Sequence, residues 1–343
     1  MAESSNIEWT DATFNPWVGC TKISPACDNC YAEDWSKRFG DVEWGNAPRR
    51  RTSEKNWNNP RRWNKQADEW EAEHGRPRFV FCASLADVFD NQVDPTWRED
   101  LWKLIKECDR LVWLLLTKRP QNIAKMLPPD WGDGYPNVWL GTTVENQEIA
   151  DRNIPHLMAA PAAKRFLSIE PIVGPIDLTV AWHMESAIEG DCWGDCGWCE
   201  AGYPPLYNCM RGNQSEAEYL KGRSGIDWVI TGGESGKNAR PAHPDWYRQL
   251  RDQCLEADVP FHFKQWGEWI PWEDTTVPLV TSQHGQTEDR WALYPSEWDD
   301  DPNWDDGLWM ISEGFESVVS QRVGKKNAGR LLDGRTWDGR PTP

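Results

Sequence analysis

Three cysteines in one short loop are the residues of this chain best suited to chemistry. They stand in the run Gly19-Cys20-Thr21-Lys22-Ile23-Ser24-Pro25-Ala26-Cys27-Asp28-Asn29-Cys30-Tyr31-Ala32-Glu33, spaced C-x6-C-x2-C ahead of a predicted helix start. A cubic iron–sulfur cluster takes four thiolates, one per iron. A loop supplying only Cys20, Cys27 and Cys30 leaves one iron open to a small molecule. No other cysteine lies within fifty residues of this loop, so a local fourth ligand is missing. The alternative is a structural zinc site completed by a distant residue, because closed zinc sites also use C-x2-C pairs. Three clustered thiols cannot all pair as disulfides. The spacing favours the cluster.

A second group, Cys192, Cys196, Cys199 and Cys209, has the spacing C-x3-C-x2-C-x9-C in a Gly/Trp/Pro-rich segment. Four thiols this close can close a tetrahedral zinc site that folds a small insertion. Cys192, Cys196 and Cys199 alone would also suit a second cluster, but Cys209 as a ready fourth ligand favours zinc. Cys108 and Cys254 read as small buried hydrophobes. Cys82 reads differently, because its place at a strand end would let it donate a hydrogen atom to a substrate radical.

These residues need a scaffold. Short apolar runs recur at residues 79–82, 111–116, 138–140, 165–169 and 228–230, with a weaker one at 261–263. Continuous apolar runs of this length suit strands buried on both faces of a parallel sheet. Helical patterns lie between them, such as residues 95–105, with Thr96 as the expected cap. Alternating strands and helices mean an α/β fold, either a barrel or a doubly wound sheet.

Each run hands over to polar residues at its C-terminal end. Ser84 and Asp87 follow the first, Lys118 the second, and Glu145 with Asn146 the third; Glu170 closes the fourth, and Gly232-Gly233-Glu234 the fifth. In parallel α/β folds that edge carries the active site. The glycines would let backbone approach a ligand closely, and Glu234 would accept hydrogen bonds from it.

The net charge of −18 is unevenly spread. Residues 268–316 hold thirteen Asp/Glu against one Arg, a net −12, and read as a solvated surface insertion. Residues 49–65 carry seven Lys/Arg with Trp57 and Trp63 between them, and residues 322–340 carry six. Such stretches would grip phosphates and stack on bases, or remain a solvated face whose arginines pair with the acidic surplus. The 25 tryptophans read mainly as packing residues. No apolar run approaches a membrane span, and the first residues show no basic and apolar leader pattern. A cytoplasmic protein without membrane contact is expected, with cysteines serving metals.

The Cys20 loop followed by Tyr31-Ala32-Glu33, with the strand-end series, resembles the radical S-adenosylmethionine (SAM) superfamily. More closely, Asn15-Pro16-Trp17-Val18-Gly19-Cys20, Trp228-Val229-Ile230-Thr231-Gly232-Gly233-Glu234-Ser235-Gly236 and the run from Val323 through Arg335 look like a phage-associated three-Cys-motif family of uncharacterised proteins. The superfamily's usual loop is C-x3-C-x2-C, three residues shorter between the first two cysteines. The resemblance implies a radical-SAM-like partial (β/α) barrel of about six parallel strands. Its expected parts are residues 1–186 with the cluster loop, a four-cysteine insertion at 187–225, a second barrel part at 226–267, and an acidic segment with a basic tail at 268–343. It further implies a [4Fe–4S] cluster on Cys20, Cys27 and Cys30, with SAM on the open iron and a hydrogen atom abstracted from a substrate. Glu145 and Asn146 would then face the SAM ribose, and Gly232, Gly233 and Glu234 its amino group or adenine. Ser84, Asp87, Lys118 and Glu170 would line the cofactor or substrate side, with Lys118 and Cys82 as catalytic candidates. An electron donor is implied. A nucleic-acid base or nucleotide as substrate, undergoing modification or repair, follows from the phage setting and the basic stretches, and a partner protein is a further expectation. The rivals are a non-catalytic, zinc-stapled protein that binds nucleic acid or a partner, and a redox protein passing electrons through a closed cluster.

Overall fold

The computed structural model describes residues 5–39, 42–179, 225–271, 308–311 and 318–343. The four-cysteine group and most of the acidic segment lie outside these residues. At the centre is a seven-stranded parallel sheet formed by β1 (Ala12–Thr13), β4 (Phe79–Cys82), β5 (Val112–Thr117), β6 (Val138–Thr143), β7 (Lys164–Ile169), β8 (Trp228–Thr231) and β9 (Phe261–Phe263), adjacent in that order. Because the order never reverses, right-handed crossovers place the connecting helices on one face. The sheet curls into a half-barrel, as the resemblance implies. The additional strand is β1, whose two residues pair with Val80 and Phe81 and are too few to show a periodicity.

The two faces of the sheet hold different residues. Val80, Cys82, Trp113, Leu115, Leu140, Leu167 and Val229 pack in the large core shared with the helices. The alternate positions face inward: Phe79, Phe81, Val112, Leu114, Trp139, Phe166, Trp228 and Ile230 join Trp9 in a mostly aromatic plug. Both sets are buried, which is why the strands read as continuous apolar runs rather than alternating ones. Trp228 meets Trp139 edge-on, with ring centroids 6.2 Å apart.

Helix α2 (Glu54–Lys65) follows β3 (Arg50–Arg51), and α4 (Pro95–Glu107) packs beside α2 with Leu101, Leu104 and Ile105 in the outer core. The expected cap Thr96 is not the cap of α4. Pro95 occupies the first helical position, where its missing N–H costs nothing, so the cap falls on Asp94, whose carboxylate accepts from Thr96 N at 2.9 Å.

A half-barrel leaves a seam between its outer strands, here β1 and β9. Residues 337–340 close it. Phe263 N donates to Trp337 O at 2.9 Å and Gly339 N to Phe261 O at 2.9 Å, while Trp228 Nε1 donates to Gly339 O at 2.7 Å. Arg340 then reaches Glu8 O at 2.7 Å, at the end of the barrel opposite the cysteine loop. The basic tail therefore starts near the mouth, where Lys325 lines the cavity, and runs down the edge of β9 rather than across the opening. A separate antiparallel sheet orders β10 (Trp269–Pro271), β12 (Val318–Arg322) and β11 (Leu308–Ile311).

Candidate functional site

The cysteine loop leaves the sheet through β2 (Trp17–Val18), which pairs antiparallel with β3. Gly19 turns the chain with φ +114°, a conformation that side-chain-bearing residues rarely adopt. A short 3-10 turn at Pro25–Cys27 and helix α1 (Tyr31–Phe39) complete the segment.

Residues flanking each cysteine are fixed to the C-terminal ends of different strands. Beside Cys20, Thr21 O accepts from Arg119 Nη2 at 2.8 Å, and the Thr21 hydroxyl accepts from Arg49 Nη2 at 2.8 Å. Before Cys27, Ala26 N donates to Glu145 Oε1 at 3.1 Å. Pro25 O accepts from Arg240 Nη2 at 2.9 Å, and Asp28 pairs with the same guanidinium at 3.2 Å. Around Cys30, Asn29 Nδ2 donates to Asn238 O at 2.8 Å, and Tyr31 OH donates to Ser84 O at 2.6 Å. Segments following β4, β5, β6 and β8 thus hold one loop. Of the six residues between Cys20 and Cys27, Thr21, Pro25 and Ala26 are engaged in these contacts.

All three thiols line one cavity of about 380 Å³, together with Ser84, Asp87, Lys118, Arg119, Thr143, Ser168, Glu170, Gly233, Glu234, Lys264 and Gln265. Its size is that of an ordinary ligand site. Its apolar floor is Trp9, Phe81 and Leu116, the upper surface of the aromatic plug. Glu170 forms an ion pair with Lys264 on the wall. Thr143 Oγ1 and Gln265 Oε1 are buried without a partner among the described residues, so the wall offers unused hydrogen-bonding capacity to a guest.

Charge in the site is arranged around the sulfurs. Burial, reinforced by Asp87, pushes the Cys20 thiol up to about 11 against the pull of Arg119. Lys118 lies in the cavity with no hydrogen-bond or ion-pair partner for its ammonium among the described residues. Burial opposes its charge, but Cys27, Cys30, Glu145 and Cys20 outweigh burial and hold it above the ordinary lysine range. An anionic thiolate-bound group would give this cation its counter-charge.

Among the described residues, no three Cys, His, Asp or Glu side chains converge as a single-ion site requires. A cluster places each thiolate on a different iron. Three soft donors around one ligand-sized space, beside the Lys118 ammonium and with no other Cys or His lining it among the described residues, fit such a group.

The sequence-based candidates separate by position. Ser84, Asp87, Lys118, Glu170, Gly233 and Glu234 line the cavity with the thiols. Glu145 pins the loop with one oxygen while Oε2 stays buried and unpartnered. Asn146 caps α6 (Gln147–Ala159), accepting from Ile149 N at 3.0 Å, and neither it nor Gly232 is in the lining. Cys82 needs correction. It stands on the helix-facing side of β4, fully buried in the outer core, and does not line the cavity.

The Gly-Gly-Glu turn also differs from expectation. A Cβ on Gly233 would meet Trp266 O at 1.8 Å, so this glycine serves chain-to-chain contact. Both Glu234 oxygens accept from Arg240, at 2.9 and 2.8 Å. The first basic stretch is likewise engaged internally: Arg49 pairs with buried Asp90, Arg51 with Asp100, and Arg61 with Glu107. Arg119, Arg240 and Lys264 carried no assigned role in the sequence reading. Arg119 and Lys264 stand in the polar strand-end series, after the second and sixth runs; Arg240 sits in a loop with no pattern to mark it.

Residues 4–341 match the family model described as "Protein of unknown function (DUF5131)". The chain belongs to the DUF5131 family. No curated protein matches it. Among solved structures, this DUF5131 chain is similar to a cysteine-to-serine mutant of spore photoproduct lyase, at 12% identity and TM-score 0.37 over 93% of this chain and 71% of that one. It is also similar to a double mutant of the lyase with bound AdoMet and dinucleoside spore photoproduct, at 14% identity and TM-score 0.34 over 71% of this chain and 61% of that one. The DUF5131 chain thus spans less than two thirds of the latter's length. Among the described residues, no helix is long and apolar enough to cross a membrane.

Proposed function

We propose that this DUF5131 protein is a radical SAM-type enzyme in which Cys20, Cys27 and Cys30 hold a [4Fe–4S] cluster. The observation that carries this reading is the pinned three-thiol loop, with no fourth Cys or His beside it among the described residues, over a ligand-sized cavity at the C-terminal edge of a parallel half-barrel. When bound, the cluster would supply the electron that breaks a carbon–sulfur bond of S-adenosylmethionine, yielding methionine and a radical able to take hydrogen from a substrate. An external electron donor is part of this proposal.

This chain's own residues do the rest. Lys118 supplies positive charge to the thiolate-bound group. The cavity wall of Thr143, Glu170, Lys264 and Gln265 orients SAM or substrate by hydrogen bonds, and Glu145 holds the loop. The aromatic plug closes the far end and excludes water from a reactive species. We infer a nucleobase or nucleotide as substrate, since a flat apolar face suits Trp9 and Phe81 and a polar edge suits the wall. Phosphate contacts would then fall to Lys325 and Lys326 at the mouth, so reversing their charge should weaken oligonucleotide retention more than reversing Arg61. Equal effects would remove the phosphate role from the tail.

The test is anaerobic reconstitution with iron and sulfide, followed by EPR of the reduced protein with and without SAM. The expected result is a cubic-cluster signal that shifts on SAM addition and is lost in Cys20→Ala, Cys27→Ala and Cys30→Ala. Zinc at the loop with no cluster would overturn the proposal.

A further inference from the structure

The three thiols do not have equivalent surroundings. Arg119 Nη1 donates to Cys20 Sγ at 3.5 Å and to Asp87 Oδ2 at 3.1 Å, while Nη2 holds Thr21 O. The neighbour of Cys27 Sγ is the neutral Ser24 hydroxyl at 3.9 Å. Asp87 cannot swing away. Its carboxylate accepts from the Thr117 hydroxyl at 2.8 Å, Phe89 N at 2.9 Å and Lys118 N at 3.1 Å, and the residue is 4% exposed. Arg119, at 6%, is equally enclosed.

We propose that the Asp87–Arg119 pair sets the reduction potential of the metal group held by the three thiols, acting through Cys20. The inference rests on the cluster reading above. A charge-assisted N–H donor to a ligand sulfur favours the more negative, reduced state and so raises the potential. Asp87 opposes it, because a carboxylate on the far side of the guanidinium offsets part of that positive charge. With both groups buried, solvent screens both effects only weakly. The two residues are positioning residues that pull the potential in opposite directions, with Arg119 the stronger because it touches the sulfur.

The opposed signs supply a test that a merely structural role would not pass. The reconstituted full-length chain, Arg119→Gln, Arg119→Lys and Asp87→Asn are titrated with redox mediators and followed by EPR, with iron content and thermal melting measured alongside. At equal iron content, Arg119→Gln should shift the potential downward and Asp87→Asn upward. Arg119→Lys, which keeps the charge but loses the fork that reaches Thr21, should fall between wild type and Arg119→Gln. Unchanged potentials overturn the proposal, as do shifts of the same sign in Arg119→Gln and Asp87→Asn, which would report a distorted loop. If Arg119→Gln does not fold, Arg119→Lys and Asp87→Asn decide by the sign of their shifts. A wild-type chain that binds no iron refutes the cluster reading itself, and the present inference falls with it.

Discussion

Replacing Arg240 by Met would test whether the cysteine loop and the Gly-Gly-Glu turn are joined by one strut. Arg240 and Glu234 have side chains only 15% and 5% exposed. Removing the guanidinium strands a buried carboxylate, which costs about 3–5 kcal/mol. At 1.4 kcal/mol per tenfold, that is roughly two to three and a half decades in the folding equilibrium. In the double variant Arg240→Met with Glu234→Gln, the stranded charge is gone. The remaining loss is a few neutral hydrogen bonds at about 1 kcal/mol each, so much of the single-variant penalty should be recovered. The loop contacts to Pro25 O and Asp28 are not restored by that second change. Urea denaturation followed by tryptophan fluorescence measures stability, and proteolysis within residues 20–30 measures loop release. The double variant should be more stable than Arg240→Met alone, yet cleaved faster in the loop than wild type. Equal destabilisation in single and double variants would refute the strut, because Glu234 would then not depend on Arg240 for its charge.

Two further expectations follow from burial and fit. His262 lies in the barrel with neither ring nitrogen hydrogen-bonded among the described residues, and burial, aided by Arg330 and opposed by Asp338 3.9 Å away, depresses it to about 3 from 6.5. Its neutral form is therefore favoured by folding: that stability is complete above pH 6.5 and is lost as pH falls toward 3, with a slope of about 1.4 kcal/mol per pH unit. His262→Leu should flatten that part of the stability–pH curve, and an unchanged slope would count against the burial argument. Gly141 faces Phe166, whose ring would lie 2.4 Å from an added Cβ. Gly141→Ala should cost about 1–3 kcal/mol by overpacking, and Phe166→Leu in the same chain should recover part of it; a neutral Gly141→Ala in thermal melts would show that the ring moves freely.

The limits of the sequence reading have physical causes. Strands β4 and β9 were legible to the residue, because a run buried on both faces carries its own signature. The reading ended β6 at Leu140, whereas the strand continues through Gly141, Thr142 and Thr143; a glycine and two hydroxyls resemble a turn until Phe166 is known to fill the space over Gly141. The cysteine loop and the polar strand ends were legible as chemistry, and the cavity brings many of them together. Their supports were not. Arg119 reaches Thr21 across 98 residues of sequence and Arg240 reaches Pro25 across 215, and no local pattern encodes partners so far apart. Cys82 was misread for a simpler reason. Sequence placed it at a strand end, but the two-residue period of the strand decides which face a side chain takes.

The closure of the seam by residues 337–340 also bears on how the barrel is made. The free edge of β9 is a template for any extended peptide, and the segment that covers it is synthesised long after the strand itself. Until that segment arrives, the aromatic plug has one unsealed side and the sheet one unpaired border. The emerging half-barrel is thus most open to aggregation just when its inner wall is already assembled, so truncations that remove residues 337–340 should reduce soluble yield more than they disturb the finished cysteine loop.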